Sequence, residues 1–201
     1  MNLEKRNKID NRILAGDGLY ADDKNFFKEC SAGFWARSQP NINYIATVGH
    51  CYSPGFEPID FGLIYIKKKT IQPVPCVRNT DSELYKELII KDIISVSCSG
   101  AHLCLSGLKS HVKCEYVVAL NGFTSDGEYF RDNIFVVNLR NIGEDCGGTI
   151  FSYKSLTQVS LNGILTGDLA DFDDNINGIT GVITKSSILN VFKDLEIVTV
   201  P

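Results

Sequence analysis

Cys146 stands in the stretch IGEDCGGTIF, residues 142–151, with two carboxylates before it and two glycines after it. A thiol in that setting is an attacking nucleophile, half of a disulfide, or the occupant of a seat that a different nucleophile once held. The first role needs a base to take its proton. The chain carries seven cysteines (Cys30, Cys51, Cys76, Cys98, Cys104, Cys114 and Cys146) and three histidines (His50, His102 and His111). No CxxC pair occurs and the histidines fall in no zinc-finger spacing, so neither a metal nor a cofactor is expected. Seven is an odd number, so at least one thiol stays unpaired within the chain.

The elements that must position these groups are short and strand-like. AGFWAR, NYIATV, DFGLIYI, IISVSC, KCEYVVAL, NIFVVNL, GTIFSY, NGILTG and GITGVIT recur between clusters of Gly, Asn, Asp and Pro. That spacing predicts an all-β barrel or sandwich. The main helical stripe is SSILNVFKDLE near the C-terminus, with Ser186 or Ser187 as its cap. DSELYKELI is either a short helix or a loop entering a strand. With 201 residues, 44% of them hydrophobic, the chain supports one large domain or two small fused ones.

Charge and hydropathy exclude several classes of function. The net charge is −4, so there is no basic footprint for nucleic acid. The longest apolar runs, such as FGLIYI and IFVV, are too short to span a membrane as a helix. The opening MNLEKRNKIDNR has no apolar h-region, so the chain reads as intracellular or as lacking its secretory leader.

Five segments then occur in a telling order: CSAGFWARSQPNINYIATVGHC (30–51), DFGLI (60–64), CLSGLKSHVKCEYV (104–117), EDCGG (144–148) and NGILTG (162–167), with RILAGDGLY ahead of them. Together they resemble the chymotrypsin-like serine peptidases, in their α-lytic protease/streptogrisin-like branch. The resemblance runs from about Arg12 to the C-terminal helix. It implies two β-barrels with the reacting groups in the cleft between them. The expected division is an extension over 1–11 and a peptidase domain over 12–201. Within that domain the first barrel covers 12–85, the second 86–183, and the C-terminal helix 184–196. Secretion is the localisation that the resemblance implies.

The resemblance also implies roles. His50 is the general base, Asp60 its orienting carboxylate, and Cys146 fills the nucleophile's seat. Backbone N–H groups of Glu144 and Cys146 would receive the oxyanion. Thr166, Gly167 and Asp168 would line the substrate cleft. Cys30 would bridge to Cys51 and Cys104 to Cys114, leaving Cys76 and Cys98 either paired or as thiols. Taken alone, a His-Cys pair is more often structural than catalytic, and an Asp opening a strand is usually a turn residue. The ordered context is what lifts them to triad positions.

Four departures bear on activity. Glu144 occupies a position where the family has Gly, so a rotated peptide whose N–H misses the oxyanion is expected. Leu105 stands where this branch has the Arg that holds the carboxylate of Asp145. Arg140 is a candidate to replace that Arg, a pocket-base residue favouring acidic substrates, or a solvated surface residue. Only nine residues, CYSPGFEPI, separate His50 from Asp60. At about 3.3 Å per residue they reach across a cleft, but they cannot also form two strands of about five residues each. The first barrel should therefore lack two strands and expose edges that favour self-association. Finally, Asp168 replaces a cleft Gly, where it would select basic substrates or obstruct.

The expected function is an endopeptidase-family protein that hydrolyses peptide bonds by acyl transfer, with a protein or peptide as substrate. The alternative is an inactive pseudoprotease that keeps the cleft as a binding domain. A viral-type processing cysteine protease fits less well, because the loop around Cys146 does not match GxCGG cleanly and the hairpin resembles the secreted branch.

Overall fold

A computed structural model describes residues 11–23, 26–39, 42–51, 59–125, 130–170 and 178–201, so the expected extension over 1–11 lies almost wholly outside the described residues. The first half supplies β1 (Arg12–Ala15), β2 (Gly18–Asp23), β3 (Phe26–Ser31), β4 (Trp35–Ser38), β5 (Ile42–Thr47), β6 (Gly62–Tyr65), β7 (Gln72–Arg78) and β8 (Glu87–Ile93). The second half supplies β9 (His102–Gly107), β10 (His111–Ser125), β11 (Phe130–Val137), β12 (Thr149–Tyr153), β13 (Gln158–Ala170), β14 (Gly178–Thr184), helix α1 (Lys185–Val191) and β15 (Glu196–Ile197). Among the described residues the molecule is all-β, as its alternating runs predict, with one short helix.

In the second half, six strands run in the order β13-β12-β9-β10-β11-β14, and β13 pairs with β14 to close the barrel. Closure removes edges. Leu103 to Gly107 of β9 are all buried, whereas β10 carries exposed residues along its whole length. Strands β8, β7 and β1 extend from β13 as an arm of the same sheet. The first half holds a four-stranded sheet, β15-β4-β5-β6, and the separate β2–β3 hairpin. Among the described residues β6 pairs only with β5, so it forms the edge of its sheet. This is the feature expected from nine residues standing in for two strands.

Local expectations are resolved in three places. DSELYKELI takes the second of its two expected forms, a loop entering β8. Asn79 donates its side-chain amide to the Tyr85 carbonyl (2.7 Å) and Ser82 Oγ accepts the Tyr85 N–H (2.9 Å), and such side-chain bonds compete with helical ones. The run IISVSC contributes only its first residue to β8, which ends at Ile93. The C-terminal helix spans 185–191 rather than 184–196, and its cap is Thr184, whose Oγ1 accepts the Ser187 N–H at 3.0 Å. The chain then turns back to pair β15 with β4, which ties the C-terminus to the first half.

An aromatic cluster joins the pieces near the cleft. Phe61, 1% exposed, packs 6.3 Å from Phe34 ahead of β4 and 5.2 Å from Phe192 at the end of α1. Burial of one such ring contributes roughly 1.5–3 kcal/mol. It fixes the backbone of the preceding residue, Asp60, independently of the short connection that leads there.

Candidate active site

His50 lies in a single 3₁₀ turn, Gly49–Cys51, that follows β5. Two ties hold that turn. Cys51 is disulfide-bonded to Cys30 at the end of β3, and Lys28 Nζ donates to the His50 carbonyl at 2.8 Å. Asp60 sits just before β6, and its side chain is 2% exposed. Its Oδ1 accepts the His50 backbone N–H (2.8 Å), while Oδ2 lies 2.5 Å from His50 Nδ1 and accepts Thr166 Oγ1 at 2.7 Å. An Oδ2 acceptor at Nδ1 places the ring proton there and leaves Nε2 as a base. The His50 side chain remains 30% exposed.

Burial raises the Asp60 pKa, but the hydrogen bonds and charge of His50, with the Thr166 hydroxyl, outweigh it and hold the carboxyl below its usual value. A depressed folded-state pKa gives stability that is present above the unfolded value of about 3.9 and is lost as pH falls through the folded one. Urea midpoints of the wild type and Asp60→Asn are therefore expected to differ at neutral pH and to converge on acidification below about pH 4.

The Cys146 loop is a second 3₁₀ turn, Gly143–Asp145, wedged between the halves. Its backbone is clamped on both sides. Ser31 N–H at the end of β3 donates to Cys146 O (2.8 Å), and Gly147 N–H donates to Leu165 O on β13 (2.9 Å). Ser31 Oγ also donates to Glu144 O at 2.9 Å. Gly147 adopts φ +87°, and a Cβ there would stand 2.5 Å from Ser31 O, so the glycine is required by both conformation and space. Cys51 Sγ lies 3.8 Å from Cys146 O, so the histidine turn and the thiol loop pack on one another. Cys146 is 7% exposed and lies outside both disulfides.

Asp145 is fully buried, and Leu105 is indeed no partner for a carboxylate. Backbone groups meet it instead: Oδ1 accepts the N–H of Lys109 (2.8 Å) and Ser110 (2.9 Å), and Oδ2 that of Ile142 (3.0 Å). These charge-assisted bonds offset the burial that the sequence marked as expensive. The approach depends on Gly107, where a Cβ would lie 2.5 Å from Asp145 Oδ1. Gly107→Ala is expected to destabilise the fold by about 1–3 kcal/mol, measured as a lowered urea midpoint at unchanged m-value.

The expected oxyanion donors do not converge. Cys146 N–H donates to the Gly143 carbonyl at 3.2 Å. In a trans peptide the carbonyl of Gly143 and the N–H of Glu144 point in opposite directions. The Gly143 oxygen therefore stands between the two donors: Cys146 N–H points at it, and Glu144 N–H leaves the far side of the same peptide, away from Cys146, so the two N–H groups share no common acceptor position. Among the described non-glycine residues only His111 and Asn133 have positive φ, so Glu144 has kept an unstrained backbone.

A cleft of about 560 Å³ opens beside this site, lined by His50, Asp60, Phe123, Arg131, Thr166 and Gly167 among others. Thr166 and Gly167, which the resemblance assigns to substrate, are among its lining residues. Asp168 lies on β13 opposite Thr180, and its side chain is outside the described residues. Arg140 is not a cleft-lining residue; its Cβ stacks against Gly178, 3.1 Å from where a Cβ there would be. Among the described lining residues the cation is Arg131, which the sequence reading missed together with Phe123. Both come from the β10–β11 hairpin, whose reach over the cleft has no local signature.

The bridges Cys30–Cys51 and Cys104–Cys114 form as the resemblance implies, whereas Cys76 and Cys98 are in no disulfide. Burial first, and then the Glu87 charge, raise the pKa of the Cys76 thiol. Cys98 is exposed. A thiol reagent at neutral pH is expected to modify Cys98 well before Cys76, as read by peptide mass mapping over time.

Neither a protein-family model nor a curated protein matches the sequence. Solved structures do match the fold. Thermobifida fusca Protease A superposes with a TM-score of 0.77 at 21% identity, covering 94% of this chain and 100% of that one. Nocardiopsis protease (NAPase) gives 0.76 at 18% identity, with the same two coverages. Cellulomonas bogoriensis chymotrypsin gives 0.72 at 17% identity, again covering 94% and 100%.

Proposed function

We propose that this chain, which has the fold of the chymotrypsin-like serine peptidases, is an endopeptidase-family protein that acts on peptide bonds with sulfur in place of the attacking oxygen. The observation that carries this reading is the Asp60 carboxylate. It holds both His50 N–H and Nδ1 and is itself held by Thr166, although the connection to it is only nine residues long. A carboxylate buried in that arrangement is costly unless its partners repay it, and its geometry suits an imidazole that must accept a proton at Nε2.

In the proposed reaction His50 takes the thiol proton of Cys146, and the thiolate attacks the scissile carbonyl carbon. The tetrahedral oxyanion collapses to a thioester as His50 gives the proton to the leaving amine. Water, activated by the same imidazole, then releases the acid. The oxyanion needs the peptide between Gly143 and Glu144 to turn over, so the described conformation is the resting one.

That same peptide favours a second reading, a pseudoprotease that keeps the cleft as a binding surface. A peptidyl probe directed at thiols separates the two. The enzyme reading expects labelling of the wild type but not of Cys146→Ala, along with casein cleavage that the substitution removes. A folded wild type that neither labels nor cleaves leaves only the binding role. The two disulfides suit an oxidising compartment and support secretion. The edge of β6, unpaired among the described residues, supports self-association, which sedimentation would report.

A further inference from the structure

A smaller recess, of about 160 Å³, opens on the other flank of the His50 turn. The turn borders both cavities: His50 lines the cleft and Cys51 the recess, and the two share no lining residue among those described. The Cys146 loop packs on the same wall. Cys51 Sγ is 3.8 Å from Cys146 O, and a Cβ on Gly147 would fall on the Oγ1 of Thr47, which also lines the recess.

The recess is chiefly apolar. Leu19 of β2 and Ile64 of the edge strand β6 give aliphatic surface, and the Cys30–Cys51 bridge gives sulfur. Tyr20, 63% exposed, adds its ring. The polar groups of Thr47 and Lys28 already have partners. Thr47 Oγ1 donates to Ser31 O at 2.9 Å, and Lys28 Nζ donates to His50 O at 2.8 Å. An apolar guest therefore gains what a polar one loses there. The volume is below the roughly 300–1,000 Å³ of a site for a drug-sized molecule, and suits a single side chain.

We infer that this recess holds the apolar side chain of the residue that follows the scissile bond, with Leu19 and Ile64 setting the preference. The inference rests on the peptidase reading above. There the acyl half of the peptide lies along Thr166 and Gly167 in the cleft. His50 gives its proton to the leaving amine, so the leaving half runs out past the His50 turn, toward the recess. Burial of a branched aliphatic side chain favours leucine over glycine at this position by about tenfold or more.

The test has a binding arm and a kinetic arm. In the first, the methyl-labelled full chain is titrated with leucyl-alaninamide, glycyl-alaninamide and aspartyl-alaninamide, which are leaving halves and need no catalysis. The leucyl peptide is expected to shift the Leu19 and Ile64 methyl resonances saturably, with an affinity about tenfold or more above that of the glycyl peptide. In the second, quenched peptides differ only in the residue after the cleaved bond, and a thioester that fills the acyl side alone is the reference. Relative to that reference, leucine should raise kcat/KM over glycine by the same factor. Leu19→Trp, which fills the recess, should abolish the advantage in both arms, and Ile64→Asp serves if that variant does not fold. Methyl shifts with the leucyl peptide, but turnover of no substrate, would end the peptidase reading and leave the recess as a seat for an apolar side chain of a bound peptide. Equal treatment of leucine and glycine in either arm, or a preference for the aspartyl peptide at Lys28, overturns the inference whether or not Cys146 is active.

Discussion

Asp60→Asn is expected to lower kcat/KM for a peptide substrate, or the rate of probe labelling at Cys146, by about 10⁴-fold. The reason is the orientation of one imidazole. Asp60 Oδ1 takes the His50 backbone N–H, so an asparagine there would keep its oxygen on that donor and direct its NH₂ at Nδ1. A donor at Nδ1 forces the ring proton to Nε2, which then cannot accept the thiol proton. The NH₂ would also face the Thr166 hydroxyl that now donates to Oδ2 at 2.7 Å. Stopped-flow labelling measures the effect, and a folded variant that labels at the wild-type rate would remove Asp60 and His50 from the mechanism. Thr166→Val should act in the same direction but more weakly, since it removes one donor to the carboxylate and leaves its charge and its bonds to His50.

Glu144→Gly is expected to raise the same rate by about 100- to 1000-fold, the worth of one oxyanion donor. Turning the 143–144 peptide so that its N–H faces the cleft asks residue 144 for a backbone conformation that costs a non-glycine residue about 1–3 kcal/mol. The resting turn avoids that cost, and Gly143 O instead takes the Cys146 N–H. Glycine lifts the penalty. Glu144→Gln tests the other contribution of this side chain, a carboxylate close to a developing negative charge, and should recover only a small part of the gain. Ser31, which donates to Glu144 O, and the Asp145 carboxylate would hold the rest of the loop in place while the one peptide turns. In the Glu144→Gly background, Cys146→Ser asks whether the seat still suits oxygen. If Glu144→Gly gives no gain, the fault lies in the shortened first half rather than in the hole.

Much of this was legible in the residues themselves. The alternating runs gave β-structure because a strand's two faces meet different surroundings. The order of GHC, DFG and EDCGG pointed to His50, Asp60 and Cys146, of which the first two are bonded in the fold, and the nine-residue spacing marked the missing strands. Glu144 at a glycine position foretold a turned peptide, because backbone sterics are local. Other features are set by atoms far apart in the chain. No reading of Leu105 could show that Asp145 is met by the N–H groups of Lys109, Ser110 and Ile142, since backbone donors carry no letter in a sequence. Arg131, rather than Arg140, faces the cleft because a long hairpin carries it there. Phe61 holds Asp60 in place through Phe34 and Phe192, which are 27 and 131 positions away. The sequence thus determined which side chains this protein has for chemistry. Only the packing of the two halves decided which of them meet and which way one peptide bond faces, because a carbonyl's direction follows from the contacts that close around it.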